Sequence, residues 1–216
     1  DIDQKRYLRN LRYVEYLGET CGGAASTILV PSPGTVLRDK IPNHAPYYNA
    51  DEMYHEAGIV LKKAKNVDVR SEIKEYAKQN QVYYKTDHHW TLLGAYAAYS
   101  AYCDANQMVK HTYGYFAAKK ISEDFLGTTY SKIMPLNAQK DTMYAATNVP
   151  PATVVYDGME RSGIYDVEKL TQKDKYGYFF GGNYGEVSIT MNEKAEKKLL
   201  VIKDSYANSF VPFLME

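Results

Sequence analysis

Apolar positions recur at helical spacing near the start of the chain. Tyr7, Leu8, Leu11, Val14 and Leu17 share one face of a helix over residues 4–19, and Gly22-Gly23 stops it. The pattern then changes to a short β-branched run over residues 26–30, closed by Pro31 and Pro33. It predicts a buried parallel strand that leads into a loop at its carboxyl end. Residues 51–64 return to helical spacing, with Asp51 as the cap and Lys62-Lys63 near the end. A second strand is expected at residues 66–69, a charged helix at 71–80 with Ile73, Tyr76 and Ala77 inward, and a third strand at 81–84. A helix rich in Ala and Tyr follows, from Leu92 to about Gln107.

Residues 110–170 lose this clarity. Pro135, Pro150 and Pro151 cut them into pieces that read as irregular strands and loops of a lid or insertion. The pattern sharpens again at Tyr176, with a strand at 186–191 and a last strand at 198–202 that runs straight into Lys203-Asp204-Ser205. The alternation of strand and helix predicts an α/β fold: a mostly parallel sheet flanked by helices on both faces. There is no internal repeat and no low-complexity linker. One domain over residues 1–216 is expected, because single cores stop growing above about 250 residues.

Composition narrows the class. Hydrophobic residues at 45% and charged residues at 24% exclude a disordered or collagen-like chain. The 26 Lys and Arg balance 26 Asp and Glu, so there is no basic footprint and nucleic acid is not an expected partner. Tyrosine is the outlier, at 22 against 6 Phe and 1 Trp. A ring with a hydroxyl suits half-wet surfaces and sugar rings; a compositional habit of the source organism accounts for it equally. Cys21 and Cys103 stand in no metal-ligand spacing, and no metal or cofactor is expected. No run approaches the roughly 20 apolar residues of a membrane span, and the first residues lack a signal-peptide layout. The chain begins inside one predicted helix and ends, at Phe213–Glu216, inside another. It reads as an excerpt of a longer protein, so the missing signal or anchor says nothing of location.

Three constellations carry chemistry, each at a predicted strand end, where open α/β sheets gather their ligands. In Asp87-His88-His89-Trp90, an Asp two residues before a His is placed to bond one ring nitrogen and leave the other free as general base. His89 is therefore the base, His88 its neighbour, and Trp90 a wall that excludes water. Asp87 as a simple helix cap, with surface histidines, is the alternative. At Ser205 a strand-to-helix turn aims a hydroxyl outward beside backbone N–H groups, as nucleophile turns do, with Tyr206 next to it; a helix cap at Asp204 or Ser205 explains the same residues. Gly181-Gly182-Asn183 offers close backbone approach and an amide donor for an oxyanion, or a tight turn. Ser209 reads as structural. Together the three supply acid, base, nucleophile and oxyanion donor.

Lys85–Thr91 around the Asp-His-His-Trp tetrapeptide and the block Leu200–Phe210 resemble the DHHW family, which is similar to the SGNH-like alginate O-acetyltransferase proteins. Ile28–Gly34 resembles the strand and proline-containing loop of those proteins. The resemblance implies an SGNH hydrolase-like fold, with Asp87, His89 and Ser205 as the triad and Asn183 as a candidate oxyanion residue. The order Asp, His, Ser is the reverse of ordinary SGNH esterases, but a triad is defined by geometry. It further implies an extracytoplasmic esterase or O-acetyltransferase acting on a cell-envelope or secreted polysaccharide, beside a membrane-bound O-acyltransferase. A non-catalytic carbohydrate-binding accessory protein is the second class. Asp87, His88 and His89 as metal ligands form the weakest reading, since adjacent histidines rarely reach one ion. The triad requires His89 Nε2 to face Ser205 Oγ, Asp87 to sit on His89 Nδ1, and His88 to turn toward other groups.

Overall fold

The first helical stripe forms α1, Gln4–Thr20, whose N-terminus is capped by Asp3 through a 3.0 Å bond from the Arg6 N–H. A computed structural model describes residues 3–45, 50–191 and 197–215. β1 is Ser26–Thr27, followed by α2, Pro33–Val36, and α3, Ala50–Val60. Leu11 of α1 packs with Ala57, Leu61 and Ala64. α3 ends before Ala64 because the Glu15 carboxylate accepts from the N–H groups of Lys62, Lys63 and Ala64, drawing that backbone out of the helical ladder. Asp51 lies inside the first turn of α3 and is not its cap; it bonds Arg38 and Arg70.

β2, Lys65–Asn66, pairs with β1, and α4, Arg70–Ala77, leads to the third predicted strand. That strand is not part of a sheet. Residues 81–84 fold back on 89–91 through Tyr84 N–H to His89 O at 3.2 Å, Thr91 N–H to Val82 O at 2.9 Å and an antiparallel Tyr83–Trp90 bridge. The Asp-His-His segment therefore sits at the tip of a tight reversal. Thr91 then caps α5, Leu92–Ala105, by accepting from the Gly94 N–H.

The mostly parallel sheet is corrected here: among the described strands, only β1 and β2 pair in parallel. β3, Lys119–Phe125, and β4, Asp141–Ala145, form an antiparallel pair, with α6, Thr128–Ile133, between them in sequence. β5, Thr153–Tyr156, is the centre of an antiparallel sheet with β6, Met159–Arg161, and β7, Val187–Thr190. The region that reads as irregular is thus ordered. Its pattern is blurred because β3 is mostly exposed or half-buried and its register shifts twice, breaking strict alternation. The β5–β6 hairpin turns at Asp157-Gly158, both at positive φ, as a two-residue turn with the right twist requires.

Residues 198–202 form no strand among the described residues. Leu200 is 85% exposed, and the run joins no ladder among the described residues. A continuous apolar run matches the pattern of a buried strand, but the pattern does not supply the hydrogen-bonding partner.

Two apolar clusters meet where the reversal lies. One surrounds α5, buried on most of its circumference, and holds Ile73, Trp90, Tyr99, Phe116 and Phe213. The other holds Tyr84, Phe125, Met143, Tyr156, Tyr176 and Phe179. The tyrosine excess acquires a physical role here. Tyr83, Tyr96, Tyr156, Tyr165 and Tyr176 bury or half-bury their rings and donate their hydroxyls to the backbone carbonyls of Pro31, His111, Gly163, Ala146 and Ser205. Each fills apolar volume and also satisfies a backbone carbonyl, four of them outside regular structure and that of Ser205 at the start of a 3-10 helix. Cys21 is exposed, Cys103 is buried, and no disulfide joins them.

Candidate active site

The reversal at residues 84–89 is held from below by Asp141, the first residue of β4. Its buried carboxylate accepts from the N–H groups of Lys85 (3.0 Å) and Thr86 (2.8 Å), from Thr86 Oγ1 (2.7 Å) and from Gln81 Nε2 (2.6 Å). Four donors on one buried carboxylate fix the backbone that presents Asp87.

Asp87 itself is buried, and all four of its close donors are accounted for. Oδ1 accepts from the His89 N–H at 3.0 Å and faces His89 Nδ1 at 2.5 Å. Oδ2 accepts from the Thr128 N–H at 2.7 Å and from Thr128 Oγ1 at 2.9 Å, at the start of α6. Burial alone would raise the Asp87 carboxyl, but the bonds from His89 and Thr128 outweigh it and hold the group well below the ordinary carboxylate range. An ionised Asp87 requires a proton on His89 Nδ1, which leaves Nε2 as an acceptor.

His89 Nε2 lies 2.8 Å from Ser205 Oγ, across 116 positions of sequence. Ser205 opens a 3-10 helix, Ser205–Ser209, capped by Asp204, whose carboxylate accepts from the Tyr206 N–H. The cap is therefore Asp204, and Ser205 is free of that duty. The expected acid, base and hydroxyl are brought together in one line.

The remaining candidates divide. His88 is exposed and hydrogen-bonds Thr128 Oγ1 at 2.7 Å, with its ring 3.9 Å from that of His89. Its pKa is lowered, first by partial burial and then by the nearby His89. Trp90 is not a wall of the site. It is buried beneath it, and Nε1 donates to Tyr206 O and to Ser209 Oγ, both at 3.0 Å. Tyr206 sets its ring edge against Trp90 and donates its hydroxyl to the His88 carbonyl, tying the 3-10 helix to the reversal. Asn183 follows a turn in which Phe180 is left-handed, and its Oδ1 accepts from Asn208 Nδ2 at 3.4 Å. Asn208 Oδ1 in turn accepts from Lys203 Nζ at 2.5 Å. Because Lys can only donate, this chain directs the Asn183 NH2 group away from Asn208. A Cβ at Gly182 would meet open space, so the turn faces solvent there.

Asp87, His88 and His89 each offer a ligand atom within 4.8 Å of the others, but Asp87 and His89 Nδ1 serve the hydrogen bonds above and His88 Nδ1 serves Thr128.

Sequence reasoning missed Asp141, Gly127, Thr128 and Tyr176. None sits at a fixed spacing from the motif; all reach it through tertiary packing. Gly127 gives a direct check. A Cβ there would fall 2.3 Å from the Asp87 side chain. Gly127→Ala is expected to push Asp87 off His89 and to lower about 100-fold any turnover that depends on their contact, as a displacement near 1 Å does. Turnover within threefold of the parent would show that Asp87 is not held in this way.

A family model described as DHHW protein matches residues 53–216. Among solved structures, the chain is similar to a DHHW family protein from Eubacterium siraeum, at 26% identity and a TM-score of 0.73, covering 95% of this chain and 72% of that one. It shares the fold of Bacillus cereus PatB1, solved with a sulfonyl adduct, at 22% identity and a TM-score of 0.72, over 97% of this chain and 74% of that one. The O-acetyltransferase domain of Pseudomonas putida AlgJ is similar in fold at 16% identity and a TM-score of 0.50, over 68% of this chain and 59% of that one. No curated protein matches the chain.

Proposed function

The chain belongs to the DHHW family, and we propose that it is a serine-dependent esterase or O-acetyltransferase acting on a cell-surface or secreted polysaccharide. The observation that carries this reading is the Asp87–His89–Ser205 line, in which a 2.5 Å link between neighbours in sequence continues through a 2.8 Å link to a hydroxyl 116 positions away. Such a line makes a weakly acidic hydroxyl nucleophilic. Fold likeness to an O-acetyltransferase domain supports transfer, and it supports the SGNH hydrolase-like class that belongs to the same proposal.

Ser205 Oγ adds to the carbonyl carbon of an acetyl donor while its proton passes to His89 Nε2. The bond to the leaving oxygen then breaks, the leaving group takes that proton, and acetyl-Ser205 remains. A sugar hydroxyl or water gives its proton to Nε2 and takes the acetyl group, and the proton returns to Ser205. The Ser205 N–H and the outward NH2 of Asn183 are the proposed oxyanion donors. An extracytoplasmic setting and a membrane-bound O-acyltransferase as donor partner are parts of the proposal. Among the described residues no helix is long and apolar enough to cross a membrane.

A fluorophosphonate probe tests the reading. Peptide mass spectrometry is expected to find the phosphonyl adduct on Ser205. Folded protein that binds glycans but takes no adduct at Ser205 would overturn it in favour of a carbohydrate-binding accessory role.

A further inference from the structure

Tyr176 belongs to no motif, yet it touches both halves of the site. Its ring lies flat on the His89 imidazole, with centroids 3.7 Å apart and planes 9° from parallel. Its hydroxyl donates to the Ser205 carbonyl at 3.1 Å and lies 3.2 Å from Ser209 Oγ. The side chain is buried.

Donor and acceptor logic gives these contacts a direction. Trp90 Nε1 can only donate, so Ser209 Oγ accepts from it. The Ser205 carbonyl can only accept, so the single Tyr176 proton goes there, and the Ser209 hydroxyl donates to the Tyr176 oxygen at 3.2 Å, nearer than its other acceptor, the Tyr206 carbonyl at 3.5 Å. The result is one directed chain: Trp90 N–H to Ser209, Ser209 O–H to Tyr176, Tyr176 O–H to the Ser205 carbonyl. Every link strengthens the next in a buried setting. Burial also pushes the Tyr176 phenol well above its usual range, so it remains a neutral donor.

We propose that Tyr176 is a positioning residue that fixes the base and the nucleophile relative to each other, its ring setting the plane of the His89 imidazole and its hydroxyl setting the Ser205 backbone. The proposal rests on the serine-esterase reading above. The imidazole has one edge on Asp87 and the other on Ser205, but neither bond stops it from tilting about the axis through them. A flat ring on one face does. Trp90 acquires a role by the same chain, since its N–H begins the line that ends on the nucleophile.

The test uses Tyr176→Phe and Tyr176→Leu in the intact chain. Phenylalanine keeps the flat ring and loses the hydroxyl; leucine loses both. With p-nitrophenyl acetate, Tyr176→Phe is expected to lower kcat about fivefold, the value of one hydrogen bond. Tyr176→Leu is expected to lower it about 100-fold at unchanged KM. The proton NMR signature separates positioning from mere stability. The low-field Nδ1–H of His89 on Asp87 is expected to persist in Tyr176→Phe and to broaden away in Tyr176→Leu. A folded Tyr176→Leu protein with kcat within threefold of wild type, or with the low-field resonance intact, overturns the proposal. If leucine prevents folding, Tyr176→Phe decides: a kcat equal to wild type overturns it, and a fivefold loss with the resonance retained supports it. Failure of the underlying esterase reading is distinguishable, because then the wild-type protein itself takes no fluorophosphonate adduct on Ser205.

Discussion

Replacing Ser205 with alanine is expected to lower p-nitrophenyl acetate hydrolysis by on the order of 10⁴-fold or more, the scale at which a triad loses its nucleophile. The substitution removes one oxygen from a half-buried position at the start of a 3-10 helix whose cap is Asp204, so the helix has no reason to unravel. Circular dichroism and Tm should therefore stay near the parent values while turnover falls. His89→Ala should cost about as much. The double substitution should cost little more than either single one, because base and nucleophile act as a unit and their losses do not add. Hydrolysis that persists unchanged in folded Ser205→Ala protein would remove Ser205 from the chemistry, whatever its distance from His89. Additive losses in the double variant would argue that the two residues act separately.

The meeting of the three candidate site residues was more legible in the sequence than the fold. Asp87, His89 and Ser205 could be chosen because the roles constrain residue type strongly: an acceptor-only carboxylate, a ring with two nitrogens, a hydroxyl at a turn. Local spacing then favoured Asp87 with His89 over Asp87 with His88, and the hydrogen bonds fall that way. The sheet was less legible because strand periodicity carries no partner. Residues 81–84 and 198–202 both have strand-like composition, yet one is the arm of a reversal and the other is exposed. The Asp157-Gly158 turn carried a local hairpin signal that the proline breaks at 150–151 obscured. The supporting groups were not legible at all. Asp141, 54 positions after Asp87, holds the reversal, and Thr128 and Tyr176 hold the two members of the acid–base pair. An isolated Asp, Thr or Tyr has no signature that distinguishes such work from ordinary surface or core duty.

Asp87→Asn isolates the role of charge from that of shape, and it is expected to lower kcat by about 10⁴-fold. Both carboxylate oxygens are occupied by donors: His89 N–H and Nδ1 on one, Thr128 N–H and Oγ1 on the other. An asparagine has one acceptor and one donor end, so whichever way it turns, its NH2 faces a fixed backbone N–H. If the NH2 faces His89, the imidazole must carry its proton on Nε2 and cannot take one from Ser205. If it faces Thr128, the site keeps the tautomer but loses the negative charge that stabilises the imidazolium formed during attack. The same substitution changes stability with a definite sign. The folded-state Asp87 pKa is depressed, so its stabilising contribution is present above the unfolded value near 4 and is lost as pH falls through the lower folded value. The parent protein should therefore lose Tm on acidification below about pH 4, and Asp87→Asn should lose less over the same interval. A kcat within tenfold of the parent would show that His89 is oriented without Asp87. An acid slope of Tm unchanged by the substitution would show that the depressed carboxyl is not what the fold protects.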